Sequence, residues 1–333
     1  MKSFSPLGKV PLSAALVGLA ALLTGLAPAA TAQPAAWPTK PVRFIVPFPA
    51  GTATDLIARN VGQKLGDKWG QPVVIDNRPG AGGNLGTDIA AKAANDGYTI
   101  LWGTVANSIS PSLYSKLSYN FNTDFAPILL VAKLPLVLVA NNALPAHNLA
   151  QLTAHARAAS TKLSFGSGGI GTSNHLAGEM FSSSTGAGMV HVPYKGTPAA
   201  YTDLMAGRID MMFDNIVPAM GQIKSGQLKP IAVSSLKRSS ALPDVPTVNE
   251  SGIPGFEAVS WVGLLAPAGT SKPILDKIHQ DVLAVLATPD VKERMASTGA
   301  ELATGTPAEF EAFIRNETSK WAKAVKDSGA HAD

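Results

Sequence analysis

Six short turns rich in glycine, serine and threonine contain most of the residues that could bind a small molecule. They comprise residues 48–55, 80–84, 103–107, 166–173, 194–197 and 214–216. The sequence pattern predicts that each turn follows a strand and precedes a helix. Amide groups at a helix N-terminus are free to donate, and the helix dipole is positive there, so such turns bind anions without lysine or arginine. The chemistry that they predict is the binding of a small anion.

Some of these turns carry side chains with chemistry of their own. Thr52 and Thr54 are candidate helix caps, and Gly51 permits a tight turn before them. Lys195, beside Tyr194, presents a cation next to a phenol, either to a ligand or to solvent. Asp214 either accepts a hydrogen bond from a ligand amine or hydroxyl, or caps the next helix. A flat aromatic ligand would pack against an aromatic side chain that otherwise belongs to the core: Phe48, Trp102 or Trp261.

The enzyme motifs in the chain are incomplete. Residues 166–171 match G-x-G-x-x-G, but residues 191–195 lack the acidic residue that a dinucleotide site needs at the end of the next strand. Residues 234–237 match S-x-x-K, without the S-D-N or K-T-G that accompanies it in serine enzymes. The six histidines show no metal-ligand spacing, and there are no cysteines. The sequence therefore predicts no catalysis, no cofactor and no metal.

The N-terminal 32 residues have the pattern of a secretory signal peptide. Lys2 and Lys9 precede an uncharged apolar stretch, and Ala30-Thr31-Ala32 is an A-x-A cleavage site. We therefore expect cleavage after Ala32 and a soluble periplasmic protein. The formal net charge of +4 falls by two when the leader is removed, and the remaining lysines and arginines form no basic stripe. A nucleic-acid partner is therefore not expected.

Alternating strand and helix patterns predict an α/β protein with parallel sheets. The predicted strands are Val42–Pro47, Val73–Asp76, Tyr98–Trp102, Ile128–Val131, Leu136–Ala140, Leu163–Gly166, Met189–Tyr194, Ile209–Phe213, Ile231–Ser234 and Val259–Leu265. The predicted helices are Thr54–Leu65, Leu85–Ala94, Ser173–Ser184, Pro198–Ala206, Val217–Ser225, Ile274–Ala287, Asp290–Thr298 and Pro307–Asp327. Two apolar runs are expected to cross between two lobes, which predicts a hinge with a cleft. Residues 37–137 and 265–333 would form lobe 1, and residues 138–264 would form lobe 2.

Several stretches, taken in order, resemble the substrate-binding proteins of the tripartite tricarboxylate transporter system, the Bug family. The resemblance runs from Trp37 through the C-terminal helices. Its stretches are Trp37–Phe48 with Gly51 and Asp55, Asn77–Asn84, Asp96–Thr99, Gly171–Glu179, His191–Gly196, Asp203-Leu204 with Gly207, and Pro243–Thr247. One departure is Thr52, which stands where the family usually has a second glycine.

The resemblance implies a two-lobed type II periplasmic-binding-protein fold, in which each lobe is a mainly parallel sheet flanked by helices and an interlobe cleft grips a carboxylate. Carried over by position, lobe 1 would contribute Phe48, Ala50, Gly51, Thr52, Gly103, Thr104 and Asn107. Lobe 2 would contribute Ser167, Gly171, Thr172, His175, Tyr194, Lys195, Gly196 and Asp214. The expected function is capture of a di- or tricarboxylate, including aromatic ones, by a monomeric receptor that delivers it to integral membrane permease subunits. The alternative is a receptor that feeds a membrane sensor kinase.

Overall fold

The computed structural model describes residues 37–297 and 299–332, together with Met1, Ser3 and Phe4. The predicted cleavage site and nearly all of the predicted leader lie outside these described residues. Lys40–Asp333 form one unit by their internal contacts. In the part of the chain that the structure describes, no helix is both long and apolar enough to cross a membrane.

Ten strands and ten α-helices are described. The strands are β1 (Val42–Val46), β2 (Val73–Asn77), β3 (Thr99–Thr104), β4 (Phe125–Asn141), β5 (Ser164–Ser167), β6 (Val190–Pro193), β7 (Met211–Asn215), β8 (Leu228–Val233), β9 (Val259–Pro267) and β10 (Glu301–Leu302). The helices are α1 (Ala53–Trp69), α2 (Asn84–Ala91), α3 (Val105–Leu113), α4 (Leu149–Ala158), α5 (Ser173–Thr185), α6 (Thr197–Met205), α7 (Ile216–Lys224), α8 (Lys272–Leu286), α9 (Pro289–Ser297) and α10 (Pro307–Ser328). A short 3-10 helix, Ala81–Gly83, precedes α2.

Two parallel groups of strands are joined by two antiparallel crossing strands. β1 pairs in parallel with β2 and β3, and β5 pairs in parallel with β6 and β7. The crossing strands β4 and β9 pair antiparallel with each other, β3 pairs with β9, and β7 pairs with β4. The helices that follow β1, β3, β5, β6 and β7 all begin at the carboxyl ends of parallel strands, where α/β sheets bind ligands. This architecture confirms the predicted fold class.

The crossing strand β4 replaces two separate strands that the sequence predicted. It is 17 residues long, and the prolines Pro127 and Pro135 lie within it. Its pairing with β9 shifts register between Pro127 and Leu129, which is consistent with proline's lack of a ladder donor. The first half of β4 pairs with β9, and the half that follows Pro135 pairs with β7 and β8. The lobe boundaries themselves stay predictions.

The sequence pattern missed two helices, α3 and α4. α3 contains Pro111 and three serines, with one valine and one asparagine, all of which are weak helix formers. α4 is dominated by small residues, so its apolar periodicity is weak. Both helices pack into the apolar core through residues such as Ile109 and Leu152. Tertiary packing therefore stabilises α3 despite its weak local propensity, whereas α4 consists mostly of good helix formers and lacks only a clear apolar periodicity.

The core contains two of the three aromatic side chains that were candidate ligand contacts. Trp102 is fully buried and packs edge-on against Phe44, with ring centroids 5.9 Å apart. Trp261 is also buried, and its ring centroid lies 5.7 Å from that of Phe310. These two tryptophans therefore stabilise the sheet, and only Phe48 lies beside a cavity.

Candidate ligand-binding cleft

Five helix N-termini meet at one cleft, which has an empty volume of about 440 Å³. They are the first residues of α1, α3, α5, α6 and α7 with the residues that precede them. The cleft is lined by Phe48, Thr52, Ala53, Thr54, Thr104, Val105, Ala106, Gly168, Thr172, Ser173, Asn174, Gly196, Thr197, Asp214, Asn215 and Ser260. Among the described residues, no lysine or arginine is part of this lining. We call it the helix-end cleft. Its positive potential comes from backbone amides and helix dipoles, which suits an anion.

The first binding turn is held in place by Asp55, a buried carboxylate of α1. Its Oδ2 atom accepts from the backbone N of Gly51 at 2.9 Å, and its Oδ1 atom accepts from Nδ2 of Asn77 at 2.9 Å. Asn77 also donates to the carbonyl oxygen of Phe48 at 2.9 Å. Arg59 pairs with the same carboxylate at 2.9 Å. The sequence stretches around Asp55 and Asn77 carried the family resemblance, and their role is to shape this turn.

Thr52, which replaces the expected glycine, sits in the first turn without backbone strain. Its φ is −75°, a value open to any residue, so the position does not require glycine. Its hydroxyl donates to the carbonyl oxygen of Pro49 at 2.9 Å instead of capping α1. The Thr52 side chain is buried and narrows the cleft at this point.

The third turn is closed by a capping box in which Asn107 turns back towards β3. Its Oδ1 atom accepts from the backbone N of Thr104 at 2.8 Å, and its Nδ2 atom donates to Thr87 Oγ1 at 2.8 Å. Both polar atoms of the Asn107 side chain therefore take part in holding the N-terminus of α3. Thr104 remains at the lining of the helix-end cleft.

Asp214 is the one ionisable side chain among the residues that line the helix-end cleft in the described structure. It is fully buried, and its Oδ1 atom accepts from Asn174 Nδ2 and from the backbone N of Asn215, both at 2.8 Å. Burial raises the pKa of Asp214 to about 6, although the nearby polar groups of Tyr201, Asn215 and Asn174 lower it. In the folded protein this carboxyl group therefore takes up a proton far more readily than a solvated one does.

A group of polar side chains lies behind the turn at 166–173. His191 Nε2 lies 2.6 Å from Ser167 Oγ, and its ring stacks on Phe165 and on His175, with centroids 5.0 Å and 4.1 Å away. Burial, followed by the charge of His175, lowers the pKa of His191 to about 4. Ser167 is fully buried and lies outside the cleft lining, so this serine–histidine pair positions a turn and does not face a substrate.

His175, Glu179 and His191 offer nitrogen and oxygen atoms that all lie within 4.8 Å of one another. The backbone N of Gly171 donates to His175 Nδ1 at 3.4 Å, which places the imidazole proton on Nε2, 3.6 Å from the Glu179 carboxylate. A metal-bound histidine instead donates from its second nitrogen. The geometry therefore favours two stacked imidazoles that hold the turn, rather than a metal centre, and we assign no ion to it.

A second, larger cavity adjoins the helix-end cleft through the shared residues Phe48 and Gly168. Its empty volume is about 1290 Å³. It is lined by Pro47, Phe48, Pro49, Pro79, Gly80, Ala81, Gly82, Gly83, Tyr114, Gly168, Gly169, Ile170, Pro193, Tyr194, Lys195 and Ala332. Lys195 is exposed at its edge, and the Tyr194 hydroxyl donates to Asp203 Oδ2 at 2.8 Å.

The predicted ligand-binding residues fall into three groups. Those at the helix-end cleft are Phe48, Thr52, Thr104, Thr172, Gly196 and Asp214. Those at the second cavity are Phe48, Tyr194 and Lys195. Seven line neither cavity in the described structure: Ala50, Gly51, Gly103, Asn107, Ser167, Gly171 and His175. The lining residues that sequence reasoning did not select are mostly the first helical residues after each predicted turn, a position that the N-terminus argument itself indicates.

The turns from the two sides of the helix-end cleft touch each other. A Cβ atom added to Gly196 would lie 2.7 Å from Pro49 Cγ, and at the second cavity one added to Gly82 would lie 2.6 Å from the carbonyl oxygen of Ile170. Distances below 3.0 Å are ones that real Cβ atoms essentially never show. The residues 49–51 and 196–198 therefore close over the cleft only because glycine is present.

A family model described as the tripartite tricarboxylate transporter family receptor matches residues 57–330, most of the chain. The chain belongs to this family. The predicted recognition is thereby confirmed, and so are the predictions of a solute-binding receptor and of a non-enzyme. Proteins of this receptor family are periplasmic binding proteins.

Individual relatives of the receptor cover nearly its whole length. Protein BugT of Bordetella pertussis is 36% identical over 318 residues, which is 95% of this chain and 97% of BugT. The periplasmic binding protein BugD is 39% identical, with a TM-score of 0.85 over 89% of this chain and 100% of that one. Rpa4515 of R. palustris, solved with adipate, is 34% identical. Its TM-score is 0.86, and the match covers 88% of this chain and 98% of Rpa4515. MatC of Rhodopseudomonas palustris, solved with malate, is 31% identical. Its TM-score is 0.83, and the match covers 87% of this chain and 100% of MatC.

The buried His191 of this receptor is expected to make folding sensitive to mild acid. Its pKa falls from an ordinary 6.5 to about 4 on folding, so the unfolded chain binds a proton first and stability is lost as pH falls through this range. With allowance for solvent screening at a partly exposed ring, the loss is about 2 kcal/mol. Urea unfolding of the wild type and of His191→Gln measures it. Asp214 changes the stability with pH in the opposite direction, but it is present in both proteins, so its effect cancels between the wild type and His191→Gln. If the free energy of unfolding changed equally with pH in both proteins, His191 would not be the cause.

Proposed function

We propose that this chain captures a small carboxylate in the helix-end cleft and delivers it to the membrane permease of a tripartite tricarboxylate-type transporter. The observation that carries the proposal is the convergence of five helix N-termini on a cleft whose described lining has no lysine or arginine. Amide donors and helix dipoles stabilise a carboxylate there, and exclusion of water by the closing turns strengthens those interactions.

The related structures support the same ligand class. Rpa4515 was solved with adipate and MatC with malate, and both share the fold of this chain over nearly its whole length. We extend this chemistry to the present chain because its cleft has the donors that a carboxylate needs. Adipate and malate differ in length, so the two proteins alone do not define the ligand of this one.

Capture requires that the ligand binds one arrangement of the chain better than another. The turns 49–51 and 196–198 meet over the cleft, and a ligand contacting helix N-termini on both sides would favour that closed arrangement. The closed form then presents a surface that the permease distinguishes from the open form. Transport therefore needs no chemical change in the ligand.

A thermal-shift screen of the purified chain tests this function. The panel pairs small mono-, di- and tricarboxylates with neutral amides of the same skeleton. A ligand present at about a hundred times its dissociation constant adds about 2.7 kcal/mol of stability, which raises the melting temperature visibly. Shifts confined to carboxylates are expected. Shifts with the neutral amides alone, or none with any acid, would overturn the proposal.

A further inference from the structure

The helix-end cleft contains hydrogen-bond acceptors that the protein leaves unused. Asp214 Oδ1 receives two hydrogen bonds, but within residues 37–297 and 299–332 its Oδ2 atom has no hydrogen-bond partner. The Oδ1 atom of the adjacent Asn215 has none either among the same residues. Asp214 is fully buried, and both residues line the cleft. Buried acceptors without a partner are unfavourable, so each has a reason to receive a donor from outside the protein.

The surroundings of Asp214 make two opposite demands on a ligand. The five helix N-termini favour an anion, whereas the Asp214 carboxylate repels a second carboxylate placed beside it. A ligand that carries a donor next to its carboxylate meets both demands, because the carboxylate faces the amides and the donor faces Asp214. A simple dicarboxylate without a donor leaves Oδ2 unpaired.

We propose that the ligand is a 2-hydroxy or 2-amino acid whose hydroxyl or ammonium group donates to Oδ2 of Asp214. This inference rests on the proposed function and names its substrate class. Hydroxyl and ammonium share the chemistry of a donor on the carbon beside the carboxylate, and the ligand series below separates them. The raised pKa of Asp214 is consistent with a carboxyl group that lacks such a donor in the ligand-free protein.

A donor inside the protein is the competing explanation for this geometry. The Tyr201 hydroxyl is buried and meets no partner at hydrogen-bond distance within the described chain, yet Tyr201 and Thr197 both lie close enough to Asp214 to stabilise its carboxylate and lower its pKa. Burial, followed by the charge of the neighbouring Asp214, raises the pKa of Tyr201 well above its ordinary value. If Tyr201 or Thr197 donated to Oδ2, the cleft would not distinguish ligands by a donor group.

The test compares ligands that differ only in the donor. Calorimetric titrations use succinate, malate and aspartate, and then adipate, 2-hydroxyadipate and 2-aminoadipate, with the wild type, Asp214→Asn and Tyr201→Phe. In one series or the other, the wild type is expected to bind a hydroxy or amino acid at least about tenfold more tightly than its parent, because a site built around a hydrogen bond rejects the analogue that lacks it. Asp214→Asn is expected to reduce this ratio to about threefold or less, and Tyr201→Phe is expected to keep it.

Each outcome bears on one claim. Equal affinity of the wild type for the substituted and parent acids overturns the inference and leaves the receptor function intact. A preference that Asp214→Asn keeps, or that Tyr201→Phe alone removes, also overturns it. Binding of no carboxylate in either series contradicts the proposed function itself. Where Asp214→Asn does not fold, the wild-type comparison still decides the ligand class, since equal affinity for substituted and parent acids overturns the inference.

Discussion

Replacing Gly196 with alanine is expected to weaken carboxylate binding about 10- to 100-fold, since overpacking costs about 1–3 kcal/mol. Gly196 has a φ of +121°, and an added Cβ would lie 2.7 Å from Pro49 Cγ and 3.3 Å from its Cδ. The new methyl group therefore pushes residues 49–51 and 196–198 apart. An open cleft loses the ligand contacts on one side and admits water to the amides on the other.

Two further variants separate blocked closure from backbone strain. Gly186→Ala is the matched control, because Gly186 also has a positive φ, 65°, but an added Cβ there would have no neighbour within 4 Å. It is expected to lose stability and to retain ligand affinity. Adding Pro49→Ala to Gly196→Ala removes the ring atoms that clash, so part of the affinity should return. Equal affinity losses at Gly186 and Gly196 would contradict the closure account.

Replacing Asp55 with alanine is expected to lower the free energy of unfolding by about 3 kcal/mol and to weaken ligand binding about tenfold. The change leaves the backbone N of Gly51 and Nδ2 of Asn77 without their acceptor and Arg59 without its partner. The turn that contributes Phe48 and Thr52 to the cleft then loses its fixed shape. Urea unfolding and calorimetric titration measure the two effects.

The matched control for Asp55 is Asp276→Ala. Like Asp55, Asp276 pairs with a basic residue four positions away on its helix, here Lys272, but both side chains are exposed, so the expected change in the free energy of unfolding is below about 0.5 kcal/mol. Burial opposes ionisation of Asp55, yet hydrogen bonds from Arg59, Gly51 and Asn77 outweigh it and hold the pKa of Asp55 below 3.8. Its stabilisation is therefore present above that pH and is lost as pH falls below it. Equal losses of unfolding free energy in Asp55→Ala and Asp276→Ala would show that the hydrogen bonds around Asp55 do not stabilise the fold.

Much of the fold was predictable because its strands and helices are locally consistent. The β1–α1 and β7–α7 units have apolar β-branched or methionine-rich strands, a polar turn and a helix in that order. The long strand β4 was not predictable as one element, because Pro127 and Pro135 interrupt its pattern. Pairing with β9 on one half and with β7 on the other holds it together, and such pairing depends on residues far apart in sequence.

The cleft was predictable as a set of turns but not as a set of side chains. Asn107 and His175 occupy first helical turns, where the sequence suggested ligand contacts, yet both side chains point back into the protein as hydrogen-bond partners of the turns. Asp214 shows the reverse. Its position at the end of a strand was visible, but its complete burial and its unpaired Oδ2 atom depend on packing that only the fold brings about.

A crystal structure of the chain with its preferred carboxylate tests the central claim most directly. The account predicts ligand carboxylate oxygens about 2.7–3.2 Å from backbone nitrogens of at least two of the five helix N-termini, with residues 49–51 and 196–198 in contact over the ligand. A ligand held by lysine or arginine side chains, or bound wholly within the second cavity beside Lys195, would contradict it.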